Sequence, residues 1–540
     1  MTYDIIFITG EAFFDHPLSG VAILKRLLEK HGFSVGMIEM PFHDENVLKL
    51  GRPRLFFGVT SGSIDSMLRN YNALKRLRID DPNVDEEIHG YVPDRADIVY
   101  SNWIRKHFKD SIIVLGGTEA TLRRFTHYDY WDNKLRKPIL VDSRADILCF
   151  GNSEKQILEV AERLKSAYEN ETCDILNARS RLSGIPGTCV MSKTMPEGFK
   201  EIPSNEDVTD SKEKFCDMQN MFSNRINLAQ KVTDRYVLQY ASPEYTSKDL
   251  DEYYELGFTR QIPPEIKHLR GFEFSIVTHR GCIGECNFCS LTLTQGNKII
   301  SRSEESILRE IEEMTKLTYF NGNIDDLGGP SANMYGMDCA ECSNSCLTCN
   351  KLVKDNKRLI SLMKRARAIP GIKNVYVKSG VRFDLCTDEY LRELVTYHVA
   401  DTLRIAPEHV NNEVLRLMNK NYGNLNRFIK DFEKINELNA KENPELHKEL
   451  SFYFMTAHPG STIKEANELA RFIQGKKNAE TVQIFTPTPM TISTCMYHTG
   501  LDPRTKKKVY IPYTFTEKKD QKRVATQMLK KTREISDDEE

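Results

Sequence analysis

The sequence predicts an α/β chain in two parts, an N-terminal doubly wound parallel sheet followed by a partial (β/α)6 barrel of the TIM type. Three observations predict it. Over residues 1–160, short apolar runs alternate with amphipathic stretches at helical spacing, the pattern of parallel strands joined by crossover helices. From residue 272 a second alternation begins and yields six strand–helix units, short of the eight of a closed barrel. Directly after the first strand of this second part comes a loop, THRGCIGECNFCSLTLTQG (278–296), with Cys282, Cys286 and Cys289 in C-x3-C-x2-C spacing.

The first part opens with the strand DIIFITG. The helix GVAILKRLLEKHG follows and stops at Gly32. SVGMIEMP, LFFGVTSG, SIIVLGG (111–117) and DILCFGN (146–152) read as further strands, and 155–170 as the closing helix. In open α/β sheets ligands sit at the carboxyl ends of the strands. Those ends carry Asp15–His16, Ser61-Gly62-Ser63, Gly116-Gly117 and Gly151-Asn152-Ser153-Glu154. The domain is bounded at 1–170. Residues 171–270 mix charge with helix formers and read as a helical connector.

In the second part, bounded at 271–515, strands are expected at FEFSIVT, FNGNIDDL, NVYVKSG, DTLRIAP, SFYFMTA and TVQIFTP. The helices between them begin with EESILREIEEMTK, for which Ser301 and Glu304 suggest a capping box. By analogy with full barrels, the chemistry belongs at the carboxyl ends of these strands. The segments after the second to sixth strands match that expectation. IDDLGGP brings Gly328 and Gly329, which lack a Cβ and permit close backbone approach. SGVRFD brings Ser379 and Arg382, the latter a planar fork of donors. RIAPEH brings Arg404, Glu408 and His409, and AHPGS with PTPMTISTCMY ends the last two strands. Residues 516–540 read as a charged, solvated tail.

Length and composition bound the function classes. The chain has 540 residues, 40% of them hydrophobic, enough to fill two or more cores. A formal net charge of −2 gives no electrostatic case for nucleic acid or an anionic membrane. No basic segment followed by a long apolar run opens the chain, so no secretory leader is expected. No run of about 18 apolar residues predicts a spanning helix.

Of thirteen cysteines, seven fall in two tight groups, which points to metal or cluster binding rather than a disulfide framework. A 4Fe–4S cluster takes one thiolate per iron, so three cysteines leave one iron for a non-protein ligand. A zinc knuckle short of a ligand, or plain buried thiols, is the alternative. The second group, Cys339, Cys342, Cys346 and Cys349, has C-x2-C-x3-C-x2-C spacing in an insertion at 331–350. Four thiolates suffice for one zinc or one further iron–sulfur centre, and spacing does not separate the two. Metal binding would order a loop of that length.

The three-cysteine loop, with Phe288 before its last cysteine, resembles the signature of radical S-adenosylmethionine (SAM) enzymes. Together with DHPLSG, KSGVRFD, RIAPEH, AHPGST and PTPMTISTCMYHTGLDP, it resembles the YgiQ family of radical SAM proteins over roughly residues 1–515. The resemblance implies an enzyme whose 4Fe–4S cluster sits on Cys282, Cys286 and Cys289 and whose reduction cleaves SAM to a 5′-deoxyadenosyl radical. It implies that Phe288 packs on the adenine and that Gly328, Gly329, Ser379 and Arg382 contact SAM. Glu408 and His409 are then substrate-side catalytic candidates. It also implies a low-potential electron donor of flavodoxin or ferredoxin type, and a cytoplasmic site. The N-terminal order resembles a cobalamin-binding domain, but that family's ligand motif is D-x-H-x-x-G. Here DHPLSG sets His16 one place early with Pro17 in its slot, so cobalamin is not expected. Alternatives are a radical SAM methylthiotransferase or methyltransferase acting on RNA or protein, and a non-catalytic iron–sulfur electron carrier.

Overall fold

The computed structural model describes residues 2–78, 92–169, 174–263, 266, 271–339, 346–474 and 481–537. Five parallel strands form the heart of the N-terminal sheet. Ile5–Thr9 lies between Val35–Glu39 and Phe56–Thr60, and Ile112–Leu115 and Ile147–Cys149 continue the sheet. This is the 2-1-3-4-5 order of flavodoxin-like folds, whose ligand crevice lies where the order reverses, here between Ile5–Thr9 and Phe56–Thr60. Ile5, Ile6 and Ile8, with Phe56 and Phe57, are buried, as strands covered on both faces require. Helix Gly20–Lys30 is capped by the Ser19 hydroxyl, which accepts from the Ala22 amide.

The stretch expected as a helical connector behaves differently. Thr188–Ser192, Arg235–Gln239, Leu228–Val232 and Lys200–Ile202 extend the same sheet to nine strands, the first three antiparallel to their inner neighbours. Leu228–Val232 and Arg235–Gln239 form a hairpin whose two loop residues are Thr233 and Asp234. Thr233 takes φ +55°, a conformation that hairpin loops usually give to Asn or Gly. With that signature absent, the charged LAQKVTDRYVLQ run reads as a helix.

The six barrel strands hydrogen-bond in sequence order. Ser275 pairs with Asp326, Asn323 with Asn374, Val381 with Ile405, Thr402 with Glu449 and Tyr453 with Thr481, every pair parallel. Ile276, Leu327, Val375, Leu403, Phe452 and Val482 supply one buried core across all six. The first helix, Glu304–Thr315, is capped by Ser303 rather than by Ser301. Ser301 belongs to a two-residue strand against His279–Arg280, and its hydroxyl accepts from the Gly336 amide.

The end of the chain also departs from expectation. Phe515–Asp537 is a helix that docks through fully buried Lys518, Gln521 and Ala525. The Lys518 ammonium donates to the Tyr130 and Tyr497 hydroxyls, both at 2.9 Å. Two phenol oxygens therefore satisfy a charge that the sequence suggests is solvated. No described helix is long and apolar enough to cross a membrane.

Candidate functional site

The cysteine loop leaves the first barrel strand and is clamped from behind by the turn after helix Asn412–Leu417. The Asn287 amide donates to the Met418 carbonyl at 2.9 Å, and the Asn287 side chain to the Leu417 carbonyl at 2.8 Å. Asn419 donates to the Glu285 carbonyl at 2.8 Å, and the Ser493 amide to the Asn287 carbonyl at 2.9 Å. Within the loop the Cys289 amide donates to the Cys286 carbonyl at 3.0 Å and the Gly284 amide meets the Cys282 sulfur at 3.4 Å. Cys282 is buried, and Cys286 and Cys289 are half-buried.

Burial pushes the Cys289 thiol up to about 12, and Cys282 also upward, with Cys286 beside both adding to the effect. Two cations oppose this. Arg382 Nη1 lies 3.6 Å from the Cys286 sulfur, and its other face is held by Asp384 at 2.8 and 3.0 Å. Lys420 Nζ donates to Glu408 Oε1 at 3.0 Å and stands 5.8 Å from the Phe288 ring centre. Burial alone would discharge Lys420, but Glu408 and the Cys286 sulfur hold its pKa above the ordinary lysine value. Arg382 and Lys420 pull against the upward push on Cys282, and Lys420 against that on Cys289.

Glu408 closes the fourth strand, where the register against the fifth strand shifts and φ reaches +68°. That left-handed kink is costly for a non-glycine residue, and it turns the carboxylate toward Lys420. His409 goes elsewhere. Its Nδ1 accepts from the Asn411 amide at 3.0 Å, burial drops it to about 4, and the carboxylates in its vicinity are Glu468 and Glu465. Arg404, one of the three RIAPEH side chains expected at the rim, is exposed between buried Leu403 and Ile405 on the alternating strand. Phe288 lies edge-on to His458 at 6.3 Å.

Gly328 and Gly329 are crowded. A Cβ on Gly328 would fall 2.4 Å from Ser379 Oγ, and one on Gly329 2.4 Å from the His279 ring. Ser379 donates its hydroxyl to Asp326, whose Oδ1 also accepts the Lys378 and Ser379 amides at 2.8 and 3.0 Å. The Thr278 hydroxyl donates to the Gly328 carbonyl at 3.0 Å and so accepts from His279 Nδ1 at 2.8 Å. The second and third strand ends thus meet the start of the cysteine loop.

In the second cysteine group, Cys346 is buried in one apolar cluster with Cys282, Ile283, Ile299 and Met334, and Cys339 and Cys349 border that cluster. The Cys349 amide donates to the Cys346 carbonyl at 3.2 Å. Cys342 lies outside the described residues. Among the described residues no three Cys, His, Asp or Glu side chains converge as a single-ion site requires.

The N-terminal domain covers one side of this loop. Phe288 and Leu293 border an apolar cluster that joins the N-terminal domain to residues 485–511, Asn224 donates to the Leu293 carbonyl at 3.0 Å, and Arg280 pairs with Glu154 at 2.6 Å in a buried bridge. His16, at the end of the first strand, is fully buried with both ring nitrogens engaged. Nδ1 accepts from the Leu18 amide at 3.1 Å, and Nε2 donates to the Glu273 carbonyl at 2.8 Å. Lys420, Asn419, Asn287 and Asp384 were not singled out by sequence reasoning. The run N-K-N at 419–421, directly after a short helix on the fourth strand's return, is the available signal.

Residues 1–273 match the family described as Radical SAM N-terminal, 276–473 the Radical SAM superfamily, and 480–532 a domain of unknown function, DUF3362. UPF0313 protein MJ1155 of Methanocaldococcus jannaschii is 43% identical over 96% of this chain and 89% of its own length. A UPF0313 protein of Clostridium botulinum is 41% identical over 96% and 83%. The solved structure of TsrM from Kitasatospora setae, a radical SAM methyltransferase with cobalamin and a 4Fe–4S cluster bound, shares the fold with a TM-score of 0.52 at 15% identity. That likeness covers 92% of this chain and 79% of TsrM. The chain belongs to the UPF0313 family of the radical SAM superfamily, iron–sulfur enzymes that cleave SAM.

Proposed function

We propose that Cys282, Cys286 and Cys289 hold the 4Fe–4S cluster and that Gly328, Gly329, Ser379 and Phe288 line the SAM site beside it. The observation that carries this reading is the clamped three-cysteine loop, with Arg382 against the Cys286 sulfur and the Lys420 ammonium beside the Phe288 ring. Three thiolates and two cations suit an anionic cluster with one iron left for SAM. When bound and reduced, the cluster supplies the electron that splits SAM into methionine and a 5′-deoxyadenosyl radical. The protein's own part is to hold the thiolates, to keep Arg382 on Cys286, and to exclude water through the apolar cluster that Phe288 and Leu293 border. The reaction requires a substrate and a reductant of low potential, for which a flavodoxin or ferredoxin is suited.

Cobalamin does not fit the N-terminal domain through His16. Both imidazole nitrogens are committed to backbone partners, so ligating cobalt through either one would break at least one buried hydrogen bond. We propose that the second cysteine group holds a metal centre of its own, an auxiliary iron–sulfur cluster or a zinc, beside the cysteine loop, with Cys346 in the same apolar cluster as Cys282.

The test is anaerobic reconstitution with iron and sulfide, then dithionite and SAM, with iron and 5′-deoxyadenosine measured together. Wild type should form 5′-deoxyadenosine and Cys286→Ala should not. About eight irons per chain makes the second centre a cluster, and about four with one zinc makes it a zinc site. A reconstituted wild type that neither binds nor cleaves SAM overturns the site.

A further inference from the structure

We infer that Lys420 is a positioning residue for charge: held against the cysteine loop by a pairing with Glu408, it sets the reduction potential of the cluster on Cys282, Cys286 and Cys289. This rests on the cluster assignment proposed above.

Three observations carry it. First, Lys420 cannot drift from the loop. Its neighbours Met418 and Asn419 are bonded to Asn287 and Glu285, the residues on either side of Cys286, at 2.9 and 2.8 Å. Second, its ammonium is withdrawn from solvent, with 11% of the side chain exposed, so its charge acts on the sulfurs with little screening. Third, the counter-charge lies on a kinked backbone. Glu408 takes φ +68° at a break in strand register and places its carboxylate 3.0 Å from Lys420. The kink and the register break together set the direction in which the Glu408 carboxylate leaves the strand end.

Arg382 is different in kind. It touches Cys286 directly, so its removal would disturb the cluster's attachment as well as its charge. Lys420 makes its ion pair with Glu408 and stands 5.8 Å from the ring of Phe288, the residue before Cys289, so it acts on the cysteine loop by its field. Reduction adds one negative charge to the cluster. A fixed cation nearby stabilises the reduced form, and a fixed anion behind that cation weakens the effect. The two members of one ion pair therefore move the potential in opposite directions, a signature that a merely structural pair lacks.

The experiment is a dithionite-poised redox titration of the full-length reconstituted protein without SAM, with the reduced cluster followed by EPR. Lys420→Met is expected to lower the ratio of reduced to oxidised cluster at fixed poise about tenfold, ~59 mV for one electron. Lys420→Arg should restore it, and Glu408→Gln, which keeps a hydrogen-bond acceptor but loses the charge, should raise it. Equal potentials in all four proteins overturn the inference, as does a shift of the same sign in Lys420→Met and Glu408→Gln. If Lys420→Met fails to hold iron, Glu408→Gln alone decides through the sign of its shift. A wild type that forms no reducible cluster instead overturns the cluster assignment, an outcome read before any variant is compared.

Discussion

The Asn419 side chain donates to the Glu285 carbonyl across 2.8 Å, joining a turn beyond the fourth barrel strand to the residue before Cys286. Two residues 134 positions apart thus fix the shape of the loop that carries the chemistry. The Asn287 side chain makes the matching bond on the far side, to Leu417. Asn419→Ala removes one donor and leaves a partly buried carbonyl without its partner, a loss of about 1–2 kcal/mol. The expected outcome is a lower thermal midpoint together with faster loss of iron in air. Absorbance decay of the reconstituted protein measures the second. Unchanged iron retention in both Asn419→Ala and Asn287→Ala would show that the loop holds its shape unaided.

A second expectation concerns acid. Burial lowers His16, His127 and His458 to about 3 and His409 and His498 to about 4, against 6.5 for an unperturbed histidine. These groups are neutral in the fold and take up protons on unfolding. Their stabilising contribution is complete above pH 6.5 and is lost as pH falls toward 3–4. Each histidine adds up to about 1.4 kcal/mol per pH unit within that window. Thermal midpoints should therefore fall steeply between pH 6.5 and 4.5 while changing little between 7 and 8. His16→Gln, whose amide can still donate to Glu273, should make the acid limb shallower.

The glycine pair offers a steric test. A methyl on Gly329 meets the His279 ring at 2.4 Å, and His279 is tied through Thr278 to the Gly328 carbonyl. Gly329→Ala must push the imidazole and the strand end apart, costing about 1–3 kcal/mol as overpacking. SAM cleavage should fall at least about tenfold, the equivalent of 1.4 kcal/mol in the barrier. Gly380→Ala, which meets nothing within 4 Å on the neighbouring strand end, is the control expected to retain activity. Comparable 5′-deoxyadenosine from both variants would remove the glycines from the site.

What the sequence made legible follows from how local each feature is. The barrel strands were readable because they recur between amphipathic helical stretches, and the three cysteines because their spacing lies within eight residues. Of the four added strands, Thr188–Ser192 falls in SGIPGTCVMS, which reads as a short hairpin, while Leu228–Val232 and Arg235–Gln239 were hidden by a hairpin that bends at Thr233 and Asp234 instead of at Asn-Gly. Lys420 was hidden because its meaning depends on a turn folded back onto Glu285 and Asn287, a tertiary fact with no periodic trace. The position of Glu408 at a strand end was readable, but its pairing with Lys420 was not. Lys518 misled for the opposite reason: charge in a helix reads as solvated, and only the Tyr130 and Tyr497 hydroxyls explain its burial.

That buried helix carries the last prediction. Gln521 accepts from the Ala457 amide at 3.0 Å and from the Ser461 hydroxyl at 2.8 Å, and donates to the Ser461 carbonyl at 2.8 Å. Ala457 holds φ +58° directly after the fifth barrel strand, and the next residue, His458, bonds Ser493 at 2.7 Å. Ser493 in turn donates its amide to Asn287 in the cysteine loop. The helix therefore braces the fifth strand end against the site through a chain of named contacts. Gln521→Ala leaves a buried amide and a buried hydroxyl without their acceptor, a cost of about 2–4 kcal/mol for the two groups. Removing residues 515–540 should lower the thermal midpoint further and reduce 5′-deoxyadenosine formation, since Ala457 then loses the contact that offsets its strained backbone. A solvated tail would give neither effect. Full activity and an unchanged melting curve in the truncated protein would mean that the fifth strand end keeps its shape without the helix.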